Sequence, residues 1–192
     1  RVMSIGLLIG DYSPVIWRGP LVMKAVQQFL SEVAWGELDY LLVDLPPGTG
    51  DVQLTLAQSV AVTGAVLVTT PQPVALNDTL RGLEMFRRTN VPILGMVENM
   101  SYFLCPHCAE ETDIFGRGAV RAACEQLGIE FLGEIPLTAA IRESGDNGQP
   151  VALRSGPEGD RFREIACRLA GRISVVAMQP PAVAGTREGS DG

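Results

Sequence analysis

The sequence is poorest in two residue types that carry much of enzyme chemistry. It has one lysine, Lys24, and one histidine, His107, among 192 residues. A Ser-His-Asp triad would have to use His107, which sits between two cysteines, and a zinc centre with several histidines is excluded. No Gly-Lys-Ser or Gly-Lys-Thr occurs anywhere, and Lys24 follows Met23 inside a helical pattern. A phosphate-binding loop needs glycines and a lysine to meet the β- and γ-phosphates, so these residues are not expected to assemble a complete ATP site alone. Aromatics are scarce at 6%, and no apolar run reaches the length of a membrane span. No signal-peptide pattern opens the chain, and the expected compartment is the cytoplasm. Positive charge is also short: the formal net charge is -7, which argues against non-specific nucleic-acid binding. Four cysteines without a secretory pattern do not read as a disulfide framework; metal binding or redox chemistry fits better.

What is present is a recurring strand-and-helix pattern. Apolar, β-branched-rich runs lie at Val2–Ile9, Leu38–Asp44, Gly64–Thr70, Pro92–Asn99 and Phe131–Ile135. Helical periodicity fills the gaps: Pro20 to Val33, a helix capped by Asp51, one capped by Asn77 or Asp78, Ala119 to Leu127 closed by Gly128, and Asp160 to Ile173. Alternation of this kind predicts an α/β fold, a mainly parallel sheet flanked by helices. One domain is expected over residues 1–176, with a disordered tail over 177–192. Val2–Ile9 reads as a buried strand with nothing ahead of it, which suggests a chain that starts inside its own sheet.

Three segments could carry chemistry. Leu41 to Asp51 delivers Asp44 at the C-terminal edge of a strand, followed by Pro46, Pro47, Gly48, Thr49 and Gly50 before the helix cap Asp51. Open α/β sheets bind ligands at that edge. In P-loop nucleotide hydrolases an aspartate so placed polarises a water on magnesium, and the next loop senses the γ-phosphate. The plainer reading is a strand-to-helix turn. Second, Cys105-Pro106-His107-Cys108 sets two thiols at a spacing that chelates one soft metal and leaves two ligands to be found. Two copies meeting on a two-fold axis would supply four thiolates; zinc is a chemical alternative, and disulfide exchange is a distant one. Cys124 and Cys167 lie on apolar or small-residue helix faces and read as buried structural thiols, and His107 as a solvent-facing spacer. Third, Glu98-Asn99-Met100 and Ile135-Pro136-Leu137 end two strands on the expected ligand rim. There an asparagine amide could read an adenine edge.

Together these residues resemble the Mrp family of ATP-dependent iron–sulphur cluster carriers, relatives of the Nbp-type scaffolds and the MinD-like ATPases. The resemblance rests on Val2-Met3-Ser4-Ile5-Gly6, Trp17-Arg18-Gly19-Pro20, Leu38 to Asp51, Val68 to Gln72, Val97 to Tyr102, Cys105 to Cys108, Ile114-Phe115-Gly116 and Gly133 to Leu137, in the family's order over roughly residues 1 to 170. It implies a P-loop-type fold and an ATP-binding homodimer that holds a four-iron four-sulphur cluster between subunits and passes it to apo-proteins. By it, Asp44 is the magnesium-side aspartate, and Pro46 to Gly50 the switch coupling nucleotide to cluster. Asn99 is an adenine contact, Pro136 lies on the nucleotide rim, and Cys105 and Cys108 are the cluster ligands. It places the family's phosphate loop ahead of Arg1, so a fragment with an incomplete ATP site is expected. Other readings are a MinD-like ATPase that positions partners, for which a basic amphipathic C-terminal helix is missing, and a nonfunctional remnant.

Overall fold

The structure, a computed structural model, describes residues 1–7, 19–45 and 51–178. They pack as two compact units, Arg1–Leu67 with Pro73–Ile93, and Val68–Gln72 with the chain from Leu94 onward.

In the first unit, Ile5–Leu7 forms a single 3-10 turn rather than the expected strand, with Val2 and Leu7 exposed; residues 8 and 9 lie outside the described residues. Helix α1 (Gly19–Ser31) half-buries Met23, Val26, Phe29 and Leu30, the stripe its periodicity predicts, and packs on α2 (Asp51–Ser59). The Trp35 indole N–H donates to the Phe29 carbonyl at 2.7 Å, closing the chain back over the end of α1. The second expected strand, Leu38–Asp44, is a correction. It joins no sheet, and Leu42 is 82% exposed. An apolar run has strand composition, but a strand exists only where its N–H and C=O groups meet a neighbour's ladder, and none among the described residues supplies one here. Strand β1 (Ala65–Thr69) begins where the Ala65 N–H donates to Pro92 O at 2.8 Å. Helix α3 (Pro73–Arg88) starts before the expected caps, so Asn77 and Asp78 lie inside it. Pro73 takes the first helical position, where no N–H is needed. Leu83 is its buried residue, and α3 packs on α2.

The second unit holds the sheet. Val68 and Thr69 of β1, β2 (Ile93–Leu104), β3 (Glu111–Thr112) and β4 (Phe131–Leu137) run in the order β1-β2-β3, with β4 paired to β2. Strands β2 and β4 are parallel, with Val97 opposite Gly133 and Asn99 opposite Ile135, while β2 and β3 are antiparallel. The mainly parallel α/β architecture expected from the sequence is therefore present. Helix α4 (Ala119–Leu127) ends as expected at Gly128, whose left-handed φ of 66° turns its N–H back to Cys124 O. A helix the periodicity did not reveal, α5 (Ala139–Asp146), is capped by Thr138, whose hydroxyl accepts from the Ile141 N–H at 3.3 Å. Helix α6 (Pro157–Met178) runs two residues into the expected tail; 179–192 lie outside the described residues. Both α4 and α6 pack on β4. At Gly133 an added Cβ would stand 2.7 Å from Ile165 Cγ1, so α6 approaches the strand as closely as a glycine allows. Met96, Leu132 and Val120 are fully buried between these elements, each contributing roughly 1.5–3 kcal/mol over exposure.

Candidate metal centre

Strand β2 is twelve residues long and does not run straight. Asn99 faces Ile135 and Phe103 faces Leu137, so β2 spends four residues where β4 spends two. The surplus is a bulge at Met100, whose φ is 53°. Two side chains staple it: Asn99 Oδ1 accepts from the Met100 N–H at 3.0 Å, and the Ser101 hydroxyl donates to Glu98 Oε1 at 2.5 Å. Glu98 is fully buried, and its carboxylate also accepts from the Gly118 N–H at 3.2 Å and the Val120 N–H at 3.1 Å. A buried carboxyl is tolerated there because it accepts from N–H groups at the positive end of α4 that the helix itself leaves unpaired. The sequence suggests a ligand rim for Glu98; the structure makes it the cap of a helix.

Beyond the bulge, β2 leaves the sheet and returns as β3, and the cysteine pair forms the turn. The Cys105 N–H donates to Glu110 O at 3.0 Å and the Ala109 N–H to Cys105 O at 2.9 Å. Ala109 closes the turn in the left-handed region at φ 57°. The Cys105 sulphur accepts from the backbone N–H of Cys108 and then of His107, with the Cys108 side chain adding a third hydrogen bond. These bonds favour thiolate over thiol and hold Cys105 below the ordinary thiol range. Cys105 is half-buried; Cys108 and His107 are exposed, the latter as the sequence suggested. A hairpin turn, not a helix entry, carries the pair, so the setting that a disulfide oxidoreductase uses is absent here. Among the described residues no third His, Cys, Asp or Glu joins them in a metal-holding group.

The flank of this hairpin is charged. Arg117 Nη1 lies 2.6 Å from Glu111 of β3, and Nη2 lies 2.6 Å from Glu134 of β4. Its guanidinium also stands over the Tyr102 ring, 4.1 Å from the centroid. Burial alone would raise the Glu134 pKa, but the Arg117 hydrogen bond and charge, helped by Ser101, outweigh it and leave the carboxyl below its usual value. The same pairing pushes the Arg117 guanidinium further toward its charged form. In the sequence Arg117 is only the residue between Gly116 and Gly118, ahead of the helix expected from Ala119. Its partners lie 6 and 17 residues away, and nothing in the local pattern marks them.

The remaining expected site residues divide by position. Asn99 lies within β2 opposite Ile135, and Pro136 follows Ile135 near the end of the parallel strand β4; Asn99 is half-buried and Pro136 buried. Asp44 is exposed in the first unit, at the end of the segment that is not a strand. Pro46, Pro47, Gly48, Thr49 and Gly50 lie outside the described residues. Cys124 is buried as expected, whereas Cys167 is exposed. That correction follows from α6, which turns its apolar residues onto β4 and leaves Cys167 on the other side of the stripe.

A sheet whose strands β2 and β4 run parallel, with helices packed on it and a paired-cysteine turn between β2 and β3, defines an α/β protein. The chain belongs to the family described as ParA: NUBPL iron-transfer P-loop NTPase, which matches residues 1–170. It is 46% identical over 178 residues to the iron-sulfur cluster transfer protein NUBPL of Dictyostelium discoideum, covering 92% of this chain and 55% of the relative. It is 49% identical over 175 residues to the iron-sulfur cluster carrier protein of Methanocaldococcus jannaschii, covering 90% and 60%. The chain thus spans little more than half the length of these curated relatives. A solved nucleotide-binding protein from Archaeoglobus fulgidus, in complex with ADP and with cobalt found in it, is 41% identical. It superposes with a TM-score of 0.64, over 74% of this chain and 58% of its own.

Proposed function

We propose that this chain carries an iron–sulphur cluster on Cys105 and Cys108 and delivers it to apo-proteins. The observation that carries the proposal is the turn itself. Two thiols stand together in a hairpin turn, one with its pKa lowered by backbone N–H groups, and the pair would supply half of a four-thiolate set. A second copy completes it, so the cluster, in its four-iron four-sulphur form, bridges a homodimer. The names of the relatives support iron–sulphur cargo over any other metal.

ATP dependence belongs to the same proposal. Asp44 would stand on the magnesium side, Pro46 to Gly50 would form the switch, and Asn99 with Pro136 would meet the base. The residues described are compatible with this. Asp44 carries no ion pair among the described residues, and the Asn99 amide still has its N–H donors and one lone pair to offer. The phosphate loop is not within these 192 residues, so ATP turnover is proposed for the whole protein. On this reading the chain is a portion of such a protein, residues 1–176 are its α/β domain, 177–192 are a tail, and it works in the cytoplasm.

Anaerobic reconstitution with iron and sulphide tests the cargo. The protein should turn brown with broad visible charge-transfer absorption, and Cys105→Ala or Cys108→Ala should abolish it. A chain that stays colourless while binding zinc through the same cysteines would replace the cluster reading with a zinc one.

A further inference from the structure

The cysteine turn is held to the sheet by very little of its own backbone. Strand β3 is two residues long and exposed, and its ladder consists of Phe103 opposite Thr112 and Leu104 opposite Glu111, extended by the Cys105 N–H to Glu110 O and Ala109 N–H to Cys105 O bonds of the turn. A hairpin this short is not stable by itself in water. Something else must fix its direction.

Arg117 makes the contacts that can. Its Nη1 reaches Glu111 Oε2 on β3 at 2.6 Å, while Nη2 at 2.6 Å and Nε at 3.4 Å grip the two carboxylate oxygens of Glu134 on β4. Its flat face lies on Tyr102 of β2. All three guanidinium nitrogens and one face are engaged, and they touch both arms of the hairpin and the strand beside it. The Ser101 hydroxyl, which shares its one proton between the buried Glu98 that caps α4 at 2.5 Å and Glu134 at 3.3 Å, leans chiefly on Glu98. The Arg117 side chain is 31% exposed and Glu134 21%, against 46% for Glu111, so the grip on β4 is the better shielded arm and the reach to β3 the looser one.

We propose that Arg117 is the positioning residue of the cysteine pair: it locks the β2–β3 hairpin onto β4, so that Cys105 and Cys108 are presented to a metal in one fixed orientation. The role needs arginine. A lysine ammonium is a single point and cannot fork onto Glu134 while reaching Glu111 and stacking on Tyr102. The proposal rests on the reading of the pair as metal ligands, and its test separates the two.

The full chain is titrated anaerobically with cobalt(II), whose thiolate charge-transfer and d–d bands report the pair directly. Hydrogen exchange of the Cys105 and Ala109 amides is followed beside that of Val120 and Leu132 in the core. Arg117→Lys and Glu111→Gln are each expected to weaken cobalt binding by about 10-fold or more, the usual cost of losing a group that orients a ligand. The hairpin amides should exchange faster while the core amides keep wild-type protection. Glu111→Gln cuts only the exposed arm, so it decides the matter even if Arg117→Lys disturbs the core. Cobalt binding unchanged in Glu111→Gln overturns the proposal, whether or not the hairpin loosens. If the wild-type chain takes up no cobalt, the metal reading fails by itself. The exchange rates then stand alone: unaltered hairpin protection in both variants overturns the anchoring, and selective loss of it supports the anchoring.

Discussion

Cys105 and Cys124 carry the same group in opposite settings. Backbone N–H groups draw Cys105 toward thiolate, whereas burial pushes the Cys124 thiol up to about 11, with Arg121 opposing that only in part. Alkylation of the metal-free protein near neutral pH should therefore modify Cys105 first and leave Cys124 untouched until the chain is unfolded, as read by peptide mass mapping. Early labelling of Cys124 would mean that α4 does not cover it. Glu134 gives a second prediction. Its folded pKa is depressed, so its contribution to stability is complete above the unfolded carboxylate value of about 4.3 and is lost as pH falls through the folded one. Urea midpoints should drop on acidification through that window, and the drop should shrink in Glu134→Gln. At this scale the sequence showed the cysteine pair and the outward His107, because both follow from local spacing. It did not show Glu98 as a cap or Arg117 as a clamp. Glu98 meets its amide partners 20 and 22 residues away, across a fold that local pattern does not encode. Cys167 was misplaced because it stands off the Phe162, Ile165 and Leu169 stripe that α6 turns inward.

Among the elements, β1, β2 and β4 were readable as apolar runs, though β2 continues past Asn99 to Leu104 and β4 through Pro136 to Leu137, and α4 by its terminal glycine. Leu38–Asp44 has the same composition but no ladder partner among the described residues, and composition alone cannot supply one. Strand β3 and helix α5 were invisible for the opposite reason, since one is two residues long and the other only eight, opened by its cap Thr138. The start of α6 supports a sharp test. A Cβ on Gly159 would lie 2.2 Å from Arg154 O and 2.9 Å from Val151 O, backbone atoms that cannot swing away, whereas Gly171 in the same helix has nothing within 4 Å. Gly159→Ala should destabilise by about 1–3 kcal/mol through overpacking. Gly171→Ala should stabilise by about 0.5–1 kcal/mol, because alanine loses less backbone freedom on joining a helix. Denaturant titration of the two variants reads both signs.

For the molecule as a whole, the α/β class and the family were within reach of the sequence, because they rest on strings spread along 170 residues. The described chain contains no helix long and apolar enough to cross a membrane. On the carrier function proposed above, each chain would donate two of the four sulphurs that hold one inorganic centre. Native mass spectrometry of the anaerobically reconstituted protein reads this most directly. The expected species is two chains with one four-iron four-sulphur cluster, reverting to single iron-free chains when Cys105 is replaced by alanine. Single chains that each retain iron and sulphide, or a dimer that keeps its cluster without Cys105, would contradict a shared cluster.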